Sequence, residues 1–336
     1  MLKFKLLLIF IMLGQLNLTA QTFEISVDTM YVDINEIAGT TSTIDLTHAV
    51  KFNDKYYCFF KEQGFYSFNY DTKYFLIISN KGDILNNIEV PEEIKSTVYF
   101  DFFIRNGRLL IKTYINHDCF NFDLNKLKWN KIKELDDQVY EDNNFKVTYL
   151  DFGEWGQTTK FLDKQTKKKY TLDVYGTIVN YYNDKYYLTN YYGIIEVADP
   201  LKLKQVKTNL FRRIFRKRVD INERPIYTIG SEVIFKDTIY LSNSNYSREM
   251  PERYIITSFV TNNQFYQLFS DTNSTNVAQI VNGQLIPIQR IEKRLETFDW
   301  NYSYRGKNID NSSRFIKFKE NNDLFGFIEI NNLKKN

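Results

Sequence analysis

The chain has 336 residues, with 44 Lys and Arg against 41 Asp and Glu, 43% hydrophobic residues, 17% aromatics, two His and two Cys. This composition is globular and excludes a disordered chain, and two cysteines are too few for a disulfide scaffold. The near balance of charge offers no basic face to nucleic acid, and two histidines exclude a His-rich metal centre, so neither a nucleic-acid partner nor a metal or other cofactor is expected.

Residues 1–20 carry Lys3 and Lys5, the apolar run Leu6 to Leu13, and Leu18-Thr19-Ala20 ahead of Gln21, the layout of a cleavable secretory signal. The protein is therefore expected in the periplasm or outside the cell. No later stretch approaches twenty apolar residues, so no membrane span is expected in residues 21–336, which are read as one domain.

From Thr22 onward, short runs of Tyr, Phe, Ile, Val and Thr are broken every eight to twelve residues by Asn, Asp or Gly. That pattern predicts an all-β architecture. One pattern recurs: an apolar run, a two-residue turn, a second apolar run. Asn-Asp-Lys-Tyr-Tyr occurs at Asn53–Tyr57 and again at Asn183–Tyr187, with weaker copies marked by Asn106, Asn143, Lys236, Asn282 and Asn321. The mean spacing of these seven markers is about 45 residues, the length of a four-stranded propeller blade. The chain is thus read as a single β-propeller of seven blades, with six as the alternative because Asn262-Asn263 fits an outer turn and residues 292–314 break the rhythm.

Outer turns are expected to begin at Asp71, Asp123, Asp163 and Asp199, and third strands at Gly64–Asn69 and Gly193–Ala198. The last unit has only one hairpin, so the strand-like residues Thr22 to Ile34 are expected to complete it and close the ring. Cys58 and Cys119 either pair across the fold or are small buried hydrophobes in strands. The basic run from Phe211 to Arg218 is read as a solvated helix or loop insertion, the alternative being a dock for an acidic polymer or lipid headgroups.

Asp163-Lys164-Gln165-Thr166-Lys167-Lys168-Lys169-Tyr170 resembles the repeat of quinoprotein propellers in its Asp, Thr and aromatic spacing, with Lys167 where that family has a turn glycine. The blade pattern loosely resembles Kelch-like propellers as well, although no Gly-Gly pair is present. The resemblance implies the propeller architecture and no particular activity.

Candidate chemistry is sparse. His48 and His117 fall in separate blades and are read as structural or exposed, and both cysteines lie in strand-like runs that would mask a thiolate. Asp151-Phe152-Gly153-Glu154-Trp155-Gly156 places two carboxylates and an indole between glycines, and Asp299-Trp300 is a second acid and aromatic pair. Two acids held apart across a pocket serve glycoside hydrolysis, and an indole stacks on a sugar face. The plainer reading has Trp155 and Trp300 filling space while the acids cap turns. Asp271 to Asn276 offers several oxygen ligands but lacks the Gly and terminal Glu of an EF-hand loop, and is read as an ordinary polar connection. The expected function is a non-catalytic exported propeller that binds a glycan or a cell-envelope protein. The alternative is a carbohydrate-active enzyme, a hydrolase or lyase, using Asp151 and Glu154.

Overall fold

In a computed structural model, the described residues are 24–31, 44–62, 73–97, 100–114, 116–151, 157–173, 178–191, 193–206, 230–236, 252–295, 297, 313–319 and 324–331. The signal-like segment 1–20 and the basic run 211–218 lie outside them. No helix among the described residues is long and apolar enough to cross a membrane.

The strands form six antiparallel sheets, each a propeller blade. The N-terminal strand β1 is Glu24–Tyr31. Blade one is β2 (Ile44–Phe52), β3 (Lys55–Glu62), β4 (Lys73–Ser79) and β5 (Ile84–Ile88), followed by the one-turn helix α1 (Glu92–Lys95). Blade two is β6 (Phe100–Arg105), β7 (Arg108–Thr113), β8 (Cys119–Asp123) and β9 (Lys128–Ile132), and blade three is β10 (Gln138–Glu141), β11 (Phe145–Asp151), β12 (Gln157–Asp163) and β13 (Lys169–Leu172). Blade four is β14 (Ile178–Tyr182), β15 (Lys185–Asn190), β16 (Gly193–Val197) and β18 (Ser231–Lys236), while the intervening two-residue β17 (Lys204–Gln205) pairs with β13 as a fifth strand of blade three. Blade five is β19 (Tyr254–Thr261), β20 (Gln264–Ser270), β21 (Ser274–Val281) and β22 (Gln284–Lys293). The last blade has β23 (Arg314–Lys319) innermost, then β24 (Leu324–Asn331), then β1, paired from Glu24↔Asn331 to Tyr31↔Leu324. The two chain ends therefore share one sheet, as the strand-like character of residues 22–34 predicted.

The six-blade alternative is the one observed, and the seven-blade count is corrected. Two of the seven markers do not open a blade: Lys236 ends β18, the outer strand of blade four, and Asn282 is the outer turn of blade five. The first turn of blade five is Asn262-Asn263, which the sequence reading had placed on the outside. Both turns present the same local chemistry, an Asn-led pair with positive φ, so turn residues alone cannot tell first from outer. Asn53-Asp54, Asn183-Asp184, Asn262-Asn263, Asn106-Gly107 and Asn282-Gly283 all hold positive φ at both positions, the geometry that matches strand twist in two-residue hairpins.

Asp123 and Asp163 do start outer turns, each accepting two backbone N–H groups through its carboxylate, and Asp199 accepts from Leu201 N at the start of the connection to β18. Asp71 and Gly64–Asn69 lie outside the described residues. The outer turn of blade one falls instead at Ser79–Asp83, and its third strand is β4. Gly193–Val197 is the third strand of blade four, as predicted. Cys58 and Cys119 are free thiols buried in β3 and β8.

Packing between blades is aromatic and aliphatic. One cluster joins blades one and two around Phe59, Phe75, Phe102 and Phe122, and another joins blades one and six around Tyr56, Phe60, Phe325 and Phe327. Val147, Phe161, Tyr186 and Leu188 unite blades three and four, Tyr187, Phe235 and Ile255 unite four and five, and Phe259, Leu268, Phe318 and Ile328 unite five and six. Each buried Phe or Leu of this kind contributes roughly 1.5–3 kcal/mol.

Candidate functional site

Four antiparallel strands return the chain to the face it left. All blade-to-blade connections and all connections between second and third strands therefore belong to one face of the ring, while first and outer turns belong to the other. The second face holds five two-residue hairpins, at 53–54, 106–107, 183–184, 262–263 and 282–283, together with turns of three to five residues and the long connection 198–230 from the third to the outer strand of blade four. The first carries longer segments, including residues 32–43, 89–99, 237–253 and 294–313. Binding residues concentrate on such connections because a rigid scaffold can hold them without their contributing to the core.

Asp151 is the last residue of β11, opposite Gln157 of β12, while Phe152 to Gly156, including Glu154 and Trp155, lie outside the described residues. Asp299 and Trp300, between β22 and β23, also lie outside them. The third tryptophan, Trp129, is part of the core: its ring lies 4.9 Å from that of Phe122 and 5.0 Å from that of Phe75.

Near the same face, the inner strands carry a polar cluster that the sequence reading missed. Asn180 of β14 donates to Ser258 Oγ of β19 at 2.8 Å, and Ser258 Oγ lies 2.6 Å from Thr189 Oγ1 of β15. Arg314, the first residue of β23, donates through Nη2 to Asn180 Oδ1 at 3.2 Å and through Nε to the Ser258 carbonyl at 3.3 Å. One buried guanidinium thus ties blades four, five and six together. Gln267 of β20, opposite Ser258 and wholly buried, has no hydrogen-bond partner for its amide among the described residues. Asn180 interrupts the otherwise apolar β14, a signal visible in the sequence, while Ser258 follows Thr257 in β19. Nothing in the sequence marks Arg314 among forty-four basic residues.

Other polar candidates are committed to structure. His48 is buried and stacked on Phe100 at 4.0 Å, its Nε2–H donating to the Phe100 carbonyl at 3.0 Å. His117 is exposed. Burial pushes both the Cys58 and Cys119 thiols above their usual range, opposite to what a nucleophile requires. Asp271 accepts the backbone N–H groups of Asn273 and Ser274, each at 2.8 Å, in the manner of a turn cap. The Asp163 carboxyl is held below its ordinary range, first by the Thr166 hydroxyl and then by the turn's backbone N–H groups.

No family model and no curated protein matches the chain. Among solved structures, it is similar to Zg3597, a family 117 glycoside hydrolase of the marine bacterium Zobellia galactanivorans, at 10% identity and a TM-score of 0.35, over 93% of this chain and 91% of that one. It is also similar to Hsv2 of Kluyveromyces lactis at 11% identity and a TM-score of 0.30, over 80% of this chain and 70% of that one. A third is the extracellular domain of the putative one-component system BT4673 of B. thetaiotaomicron, at 10% identity and a TM-score of 0.32, over 90% of this chain and 42% of that one.

Proposed function

We propose that this is an exported, non-catalytic binding propeller whose longer connections on one face receive a glycan or a protein of the cell envelope. The observation that carries this reading is the count of long connections between strands, five of ten residues or more on one face (32–43, 63–72, 89–99, 237–253 and 294–313) against one on the other (198–230), above inner strands clamped by Arg314. The His48, Cys58, Cys119 and turn-capping Asp side chains have structural partners or are buried, which supports binding over catalysis.

A thermal-shift screen against polysaccharide fragments, and against calcium with a chelator control, tests the proposal. A ligand of the folded state present at about a hundred times its Kd adds roughly 2.7 kcal/mol of stability. A glycan-dependent rise in Tm without turnover is the expected result. Hydrolysis or elimination of the glycan, abolished in Asp151→Asn or Glu154→Gln, would overturn the non-catalytic reading in favour of a carbohydrate-active enzyme.

A further inference from the structure

Apolar clusters join five of the six neighbouring pairs of blades. Among the described residues, the meeting of blades two and three has none. Alternation along the strands explains why. In blade two, Phe100, Phe102, Leu109, Ile111, Phe120 and Phe122 turn towards blade one, leaving Asp101, Phe103, Arg105, Leu110, Lys112 and Cys119 on the other side. In blade three, Val147, Phe161, Tyr170 and Leu172 turn towards blade four, leaving Lys146, Thr148, Lys160 and Thr171 to face blade two.

Ionic and polar contacts occupy this seam. Lys112 Nζ reaches Asp137 at 2.7 Å and the Leu135 carbonyl at 2.8 Å. Arg105 pairs with Asp136 at 2.7 Å and donates to the Gln138 carbonyl at 3.1 Å, and Lys146 from blade three pairs with the same Asp136. The Tyr149 N–H donates to the Asp137 carbonyl, so these acids extend the sheet of blade three. Buried Phe103 is roofed by the Arg105 guanidinium, 5.1 Å from its ring. The cations Arg105, Lys112, Lys146 and Lys160 thus share this seam with the carboxylates Asp101, Asp136 and Asp137.

We infer that the ring is latched ionically between its second and third blades, and that this seam parts when charge is screened while the apolar seams stay shut. It is a conformational device built into the ring, independent of which molecule the propeller binds. As the screening length contracts from about 10 Å at 0.1 M salt to about 3 Å at 1 M, the exposed and longer-range part of this attraction, centred on Asp136 and its several cations, weakens more than the contact pair of Lys112 and Asp137, whereas apolar burial does not weaken in that way.

The chain's two cysteines report on the two kinds of seam. Cys119 lies on the blade-three side of blade two, close to Leu135, and Cys58 lies in the apolar cluster between blades one and six. Labelling of the purified protein with uncharged iodoacetamide, resolved by site, measures each opening. Between about 0.05 and 1 M NaCl, Cys119 labelling is expected to accelerate at least about tenfold, with Cys58 labelling unchanged. Asp137→Asn is expected to speed Cys119 labelling already at low salt. A Cys119 rate that ignores salt, or equal labelling of the two thiols at every salt concentration, would overturn the latch. Should the variant fail to fold, the salt dependence of the unaltered protein decides the matter.

Discussion

Blades one and three are built on the same antiparallel meander, to which blade three adds β17 as a fifth strand, and they put it to different use. In blade one, Tyr56 to Phe60 of β3 and Phe75 to Ile78 of β4 are buried without interruption, so each face meets its neighbour through apolar side chains. In β12 of blade three, burial alternates: Thr159, Phe161 and Asp163 are buried, while Thr158, Lys160 and Leu162 are only partly so. A strand covered on both faces reads as a continuous apolar run and a strand covered on one face reads as alternation. The difference teaches that a propeller ring can close around one polar seam if the other seams are apolar enough to hold it.

The largest expected effect concerns how the ring is shut beside blade one. Deleting residues 22–34 removes β1, its ladder to β24, and Ile25 and Val27 from the cluster between blades five and six. Thermal unfolding should fall by about 10 °C or more. A melting temperature equal to that of the intact chain would break the closure account.

Next is truncation in the doubly covered blade. Phe59→Ala empties a site packed by Phe75, Phe100, Phe102 and Trp129, and urea unfolding should show a loss of about 3–5 kcal/mol. A smaller effect, of opposite sign, is expected in a turn. Blade one has Gly82 at φ 92° in its outer turn, whereas blade three holds Lys167 at φ 59°. Lys167→Gly should stabilise by about 1 kcal/mol in the same assay, because a side chain in the left-handed region is strained. Smallest of all, Lys160→Met on the polar face of blade three should change stability by no more than about 0.5 kcal/mol.

Much of this was legible in the sequence, and the misses have physical causes. Identical turn chemistry at Asn262 and Asn282 hid which turn came first in blade five, and taking Lys236, the end of β18, for a first turn added a seventh blade. The closing role of residues 22–34 was readable because a last unit with one hairpin needs a partner. The alternation in Lys146 to Tyr149 and Thr158 to Phe161 was present too, but a polar face looks the same whether it meets solvent or another blade. Arg314 was not legible, since its partners Asn180 and Ser258 come from two other blades far away in the chain. The acids Asp151, Glu154 and Asp299 stood out through their aromatic neighbours, which are common in a chain with 17% aromatics.

The most direct test of the contrast between the two blades is native-state hydrogen exchange, strand by strand. Amides of β3 should exchange only through global unfolding, and those of β12 through a smaller opening that costs less free energy. Equal protection of β3 and β12, both at the global value, would contradict the account.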